Sequence, residues 1–193
     1  MLEADIVSGD NGVVATTGDP VIHPGLIDVG CYASQATPVA SLAVRNALPG
    51  NNVDCAIAQI LPGMVRTDGA ILEIGTLSAQ TVAAFVGQAV KKSGRTTGLT
   101  RSAVTGLNGT VSITYENECA GGTAFTKTFT GQIIIENKRE SFLAGGDSGS
   151  LMVEDLSTSP RAVGLLFAGS RFTAIANPID DVLTFLGATM VGD

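Results

Sequence analysis

The apolar residues of this 193-residue chain fall in short runs, and that pattern limits what the chain can fold into. Runs rich in Val, Ile, Thr and Phe are separated by clusters of Gly, Pro, Asn and Asp, the pattern of strands joined by turns. Candidate strands are Gly12–Thr17, Pro20–His23, Pro38–Val44, Cys55–Leu61, Ala70–Ile74, Val86–Lys92, Thr100–Leu107, Thr110–Glu116, Ala124–Glu136, Ser150–Val153, Ala162–Ala168 and Phe172–Ala176. Turn signals lie at Ser8–Gly12, Leu48–Asn52 and Ala120–Gly122. Asn108-Gly109, between two β-rich runs, predicts a hairpin, because both residues tolerate positive φ. Only Thr76–Ala84 and Asn177–Leu186 have helical character. In the second, Asn177 is placed to cap, Pro178 suits the first turn, and Asp180 and Asp181 suit the positive helix end. Ile179, Val182, Leu183 and Leu186 then share one apolar face. The expected class is all-β, a sandwich or barrel capped by a C-terminal helix.

At 45% apolar and 15% charged residues the chain can bury a core, as one domain or two small ones, and intrinsic disorder is not expected. Net charge is −7 and no basic run exceeds two residues, so the basic face that nucleic acid requires is missing. Residues 1–65 carry six carboxylates against one base, Arg45, which argues against an anionic membrane partner. No window approaches the ~18 apolar residues of a membrane helix. The start, Met1-Leu2-Glu3-Ala4-Asp5-Ile6, has neither the basic nor the apolar region of a signal peptide, so a soluble protein is expected, cytoplasmic if the chain is complete. Cys31, Cys55 and Cys119 leave at least one thiol unpaired, and none is spaced Cys-x-x-Cys. A zinc ribbon is excluded and a chain free of disulfides is expected. Gly94–Gly98 lacks the Gly-Lys-Ser/Thr ending of a phosphate loop. No cofactor is expected.

The sharpest chemical signal is Gly145-Gly146-Asp147-Ser148-Gly149-Ser150, followed by the apolar run Leu151-Met152-Val153. A serine nucleophile needs an exposed hydroxyl and backbone N–H groups aimed at the developing oxyanion, and flanking glycines permit both. Taken alone, the motif reads equally as a turn before a strand. Its context is fuller. The strand Val163–Gly169, the closing Ala176–Leu183 segment, the turn Lys92–Gly98 and the upstream Val53–Ala58 follow in the order found in one family. Together they resemble the chymotrypsin/trypsin-like serine proteases, in particular a bacterial branch with Gly-Asp-Ser-Gly-Ser. The resemblance covers roughly residues 50–190.

The resemblance implies a double β-barrel with a C-terminal helix. Residues 1–76 would form a partial first barrel, 77–193 a complete second one, and the site would lie in the cleft between them. It implies a hydrolase, a trypsin-like serine endopeptidase that acts on peptide or protein substrates through an acyl-enzyme at Ser148. Ser148 and Gly146 would supply the oxyanion hole. Asp54, 94 residues before Ser148, would orient the catalytic histidine. Phe167, Ala168 and Gly169 would line the substrate strand. Phe142 would floor the specificity pocket, disfavouring Lys or Arg there. Asp147 would point inward to a cation, with Arg95 or Arg101 as candidates. Cys55, beside Asp54, reads as a buried strand residue rather than a nucleophile.

The departure from the pattern is the histidine. The chain has one, His23, within Gly18-Asp-Pro-Val-Ile-His-Pro-Gly25, which is similar to the segment that follows the catalytic histidine in the bacterial branch. His23 therefore has three readings: a strand-end residue without a catalytic role, the general base, or a metal ligand. The last lacks any ligand-spaced carboxylate or cysteine. On the first reading the chain is an N-terminally truncated protease or a pseudoenzyme, with Met1-Leu2 falling where Val-Leu follows the histidine in the related pattern. The alternative function is a non-catalytic, protease-like domain that binds peptide or protein along its cleft. An incomplete first barrel would also expose strand edges, from which a homo-oligomer is expected.

Overall fold

A computed structural model describes residues 16–45, 52–115, 119 and 124–193. The chain divides into two compact units, one comprising Met1–Val65 with Ser112–Thr128, the other Arg66–Val111 with Phe129–Asp193. The expected strand Gly12–Thr17 and the turns Ser8–Gly12, Leu48–Asn52 and Ala120–Gly122 lie wholly or mostly outside the described residues.

In the first unit β1 (Pro20–His23), β2 (Thr37–Arg45) and β3 (Ala56–Ile60) form an antiparallel sheet in that order. Inward residues alternate along β1 and β2, with Val21, Ala40 and Leu42 buried. Two single 3-10 turns, Ile27–Val29 and Ala33–Gln35, join β1 to β2. The same unit holds a disulfide between Cys31 and Cys119, whose Cα atoms are 5.3 Å apart and 88 residues apart in sequence. The expectation of a disulfide-free chain is therefore corrected. Spacing along the chain carries no signal for a bond that only the fold brings to bonding distance. Cys55 remains a buried free thiol.

In the second unit β4 (Ala70–Ile71) and β5 (Gly75–Thr76) form a short ladder. Six further strands close a barrel: β6 (Ala89–Gly94), β7 (Gly98–Tyr115), β8 (Phe125–Glu136), β9 (Leu151–Glu154), β10 (Ala162–Gly169) and β11 (Thr173–Pro178). Around the barrel the order is β6-β7-β8-β11-β10-β9, and Val90↔Glu154 and Lys91↔Val153 close β9 onto β6. Its interior is filled by Val90, Val104, Ile133, Phe142, Met152 and Leu166 with their neighbours, all nearly or fully buried. The far ends of β7 and β8, 112–128, group with the first unit. There Ser112 meets Thr128 and Thr114 meets Thr126, hydroxyl to hydroxyl at 2.9 Å, as antiparallel neighbours.

Three local expectations are corrected. Asn108-Gly109 does not turn the chain: β7 runs through it as one strand, with Asn108 at φ +55°. A Cβ at Gly109 would stand 2.5 Å from Ile134 Cδ1, so the glycine serves close packing against β8 instead. Residues 76–84 are not helical. Thr81 bridges Ala162, and its hydroxyl donates to Asp180 at 2.7 Å. The C-terminal helix α1 spans Ile179–Leu186 as expected, but Asn177 does not cap it. Asn177 lies within β11, fully buried, and Pro178, the last residue of β11, stands at the N-cap without a side-chain bond.

Candidate active site

The Gly145–Ser150 segment is a turn between the barrel core and β9. Gly146 at φ +92° and Gly149 at φ +84° sit in the left-handed region that favours glycine. Between them Asp147 turns inward, with its N–H donating to Ala144 O at 3.1 Å, and Ser148 turns out to solvent. Gly149 N–H donates to Leu166 O at 2.7 Å and Leu166 N–H to Ser150 O at 3.0 Å, which stitches the turn to β10. Ser148 Oγ donates to Phe167 O at 3.1 Å. Among the described residues the N–H groups of Gly146 and Ser148 have no acceptor. Two unspent donors thus flank an exposed hydroxyl.

Asp147 fixes this turn from below. Its partner is Lys92 of β6 at 3.2 Å, with both side chains fully buried. The expectation of Arg95 or Arg101 is corrected. Arg101 pairs with Asp155 at 3.1 Å, and Arg95 is exposed, its Nη1 lying 2.6 Å from where a Cβ on Gly146 would stand. Lys92 shares the inward face of β6 with Val90, two residues earlier, so strand alternation aims its ammonium into the barrel. Asp147 also accepts from Thr96 N–H at 2.7 Å, Thr97 N–H at 3.2 Å, Thr97 Oγ1 at 2.7 Å and Ala144 N–H at 3.1 Å. Burial alone would push its carboxyl up, but these bonds outweigh burial and hold it below the ordinary carboxylate range. Burial pushes Lys92 down, opposed by Asp147. Gly94 makes the approach feasible, since a Cβ there would lie 2.5 Å from Asp147 Oδ1.

Beside the turn, Phe167 is buried and meets Phe129 edge to face at 5.0 Å, Ala168 is half-buried, and Gly169 is exposed. A Cβ on Gly169 would strike Leu143 Cδ2 at 2.8 Å. The Phe142 ring is packed in the barrel core, and its carbonyl accepts from Thr100 Oγ1 at 2.8 Å. Fully buried Asn137 holds the 142–143 segment. Its Oδ1 accepts from the N–H groups of Phe142 and Leu143, and its Nδ2 donates to Leu143 O and Ser170 O.

Asp54 and His23 belong to the first unit. Asp54 Oδ2 accepts from the Tyr115 hydroxyl at 2.6 Å. Burial raises its carboxyl above the ordinary value, and the Tyr115 bond pulls it back. Burial and Asp54 together push the Tyr115 phenol far up, so the proton stays on the tyrosine. Burial, with the Asp54 charge, pushes the neighbouring Cys55 thiol up to about 12, which suits a packed residue rather than a nucleophile. His23 is exposed at the end of β1, opposite Thr37, and makes no side-chain hydrogen bond among the described residues.

Residues 50–175, most of the chain, match the sequence profile of the Nal1 C-terminal domain. The chain belongs to the Nal1 C-terminal domain family. No curated protein matches it in sequence. In structure the chain is similar to a glutamic-acid-specific serine protease at 25% identity and TM-score 0.57, over 81% of this chain and 76% of that one. It is similar to Cellulomonas bogoriensis chymotrypsin at 25% identity and TM-score 0.58, over 82% and 80%. Thermobifida fusca protease A, 20% identical, shares the fold at TM-score 0.60 over 93% and 81%. The fold is that of the bacterial chymotrypsin-like serine proteases, as the Gly-Asp-Ser-Gly-Ser resemblance implies.

Sequence reasoning missed Lys92, Thr96, Thr97, Asn137 and Tyr115. Lys92 had a signal, a charge at an inward position of an apolar strand. Tyr115 and Asn137 had none, because their partners are 61 residues away or approach through irregular backbone.

Proposed function

We propose that the chain is a serine endopeptidase domain that cleaves peptide bonds through an acyl-enzyme at Ser148. One observation carries the reading: the exposed Ser148 hydroxyl stands beside the unspent N–H groups of Gly146 and Ser148, on a turn held by Asp147 and Lys92. On this reading the substrate carbonyl oxygen takes those two donors, which gain strength as negative charge develops on it. Ser148 Oγ bonds to the carbonyl carbon and gives up its proton. The proton passes through the base to the leaving amine as the C–N bond breaks, and water then releases the acyl group. Asp54 is the orienting carboxylate, and His23, the one imidazole in the sequence, is the base only if it replaces the histidine of the family pattern; without that replacement the domain is inactive. Phe167, Ala168 and Gly169 form the substrate strand, and Phe142 the apolar floor that favours uncharged side chains. Residues 1–76 and 77–193 are the two barrels of this reading.

A second reading is favoured by a specific observation: Asp54 is bonded to Tyr115, and His23 to no side chain partner among the described residues. On it the domain binds an extended peptide beside 167–169 without cleaving it.

Fluorophosphonate labelling read by intact mass separates the two. Labelling abolished by both Ser148→Ala and His23→Ala is the expected result. Labelling that survives His23→Ala removes His23 as base. A folded protein that does not label at all leaves the binding reading.

A further inference from the structure

We propose that Tyr115 is the positioning residue of Asp54 and that the Cys31–Cys119 disulfide keeps it there, so that reduction releases the carboxylate. The role given to Asp54 rests on the endopeptidase reading; the contact and its control do not.

Every group involved lies in the first unit. Tyr115 ends β7, and its ring stacks on Phe125 of β8 at 5.1 Å with 14° between planes. The hydroxyl of the same ring donates to Asp54 Oδ2, 2.6 Å away. A carboxylate taken from water needs such donors, so the bond favours its charged form against burial and fixes its direction. Cys119 follows four residues later and is tied to Cys31, on the turn after β1. Four residues of chain span at most about 14 Å, so a Cys119 held to Cys31 limits how far the end of β7 can move from that turn. Cys31 is exposed, which opens the bond to a dithiol in solution. In that reaction the S–S bond breaks, the two sulfurs take up two electrons and two protons, and the dithiol closes to its own disulfide. The hairpin end then loses its covalent hold, and the hydroxyl leaves the carboxylate.

The test uses the tyrosine itself. The chain has two tyrosines and no tryptophan, so Tyr32→Phe leaves Tyr115 as the only phenol. Its ionisation is followed by tyrosinate absorbance in brief pH jumps, before and after reduction with dithiothreitol and blocking of thiols. Cys55, the neighbouring titratable group, absorbs at shorter wavelength as thiolate. In the oxidised protein the phenol is expected to stay protonated well beyond the ordinary value of about 10; after reduction it is expected to titrate near it. Cys31→Ser is expected to reproduce the reduced behaviour without reductant. An unchanged titration in reduced, folded protein overturns the proposal, as does an ordinary titration in the oxidised state. Loss of the whole fold on reduction also overturns it, because the bond would then be a general staple. None of these readouts involves Ser148, so labelling can fail while this result stands, and the reverse.

Discussion

At Asp147 a single carboxylate collects five donors: the Lys92 ammonium, three backbone N–H groups and the Thr97 hydroxyl. Removing its charge strands a buried ammonium, which typically costs about 3–5 kcal/mol. Asp147→Asn is therefore expected to lower the urea midpoint sharply and, on the endopeptidase reading, to cut Ser148 labelling, since the same turn carries the N–H groups of Gly146 and Ser148 proposed to hold the oxyanion. The pH dependence follows in sign. The folded carboxyl lies below its unfolded value, so its contribution is present above about pH 4 and is lost as pH falls through the folded value. Urea midpoints measured from neutral to acid pH are expected to drop below about pH 4 in the parent and to flatten in Asp147→Asn. A variant as stable as the parent would mean that the pair contributes nothing net.

The elements divide by how locally they are encoded. β1 was legible to the residue, and α1 nearly so, because alternation and a four-residue apolar face are written in consecutive side chains. β7 was misread at Asn108, whose positive φ lies inside a continuous strand: Asn-Gly fits a turn, but here Gly109 serves close packing against Ile134. Residues 76–84 looked helical by composition, yet they extend along the barrel, held by backbone bonds such as Val82 N–H to Ala162 O at 3.0 Å. In the site, Ser148, Gly146 and Asp147 were legible because one turn contains them. Their supports were not, because Lys92 and Asn137 act across the barrel wall. Asn137 gives the sharpest test at this scale. Asn137→Ala abandons two buried N–H groups and two carbonyls, at about 1–3 kcal/mol for each left unsatisfied. Loss well above 3 kcal/mol in chemical denaturation is the expected outcome, and a loss under 1 kcal/mol would mean that water replaces the amide.

Across the whole molecule the two units differ in closure. The barrel has no free edge, whereas β1 and β3 each pair on one side among the described residues. Near the β3 edge Ile57, Leu61, Met64 and Val65 are exposed. Unpaired edges with apolar flanks recruit further strands, so self-association that rises with concentration is expected in light scattering. A constant monomer mass over a wide range would refute that. Lys92, an internal side chain, supplies the charge that pairs with Asp147 beneath the turn. A tag, leader or entire domain fused ahead of residue 1 should leave the turn intact, and a cut at the amino end should not switch it on.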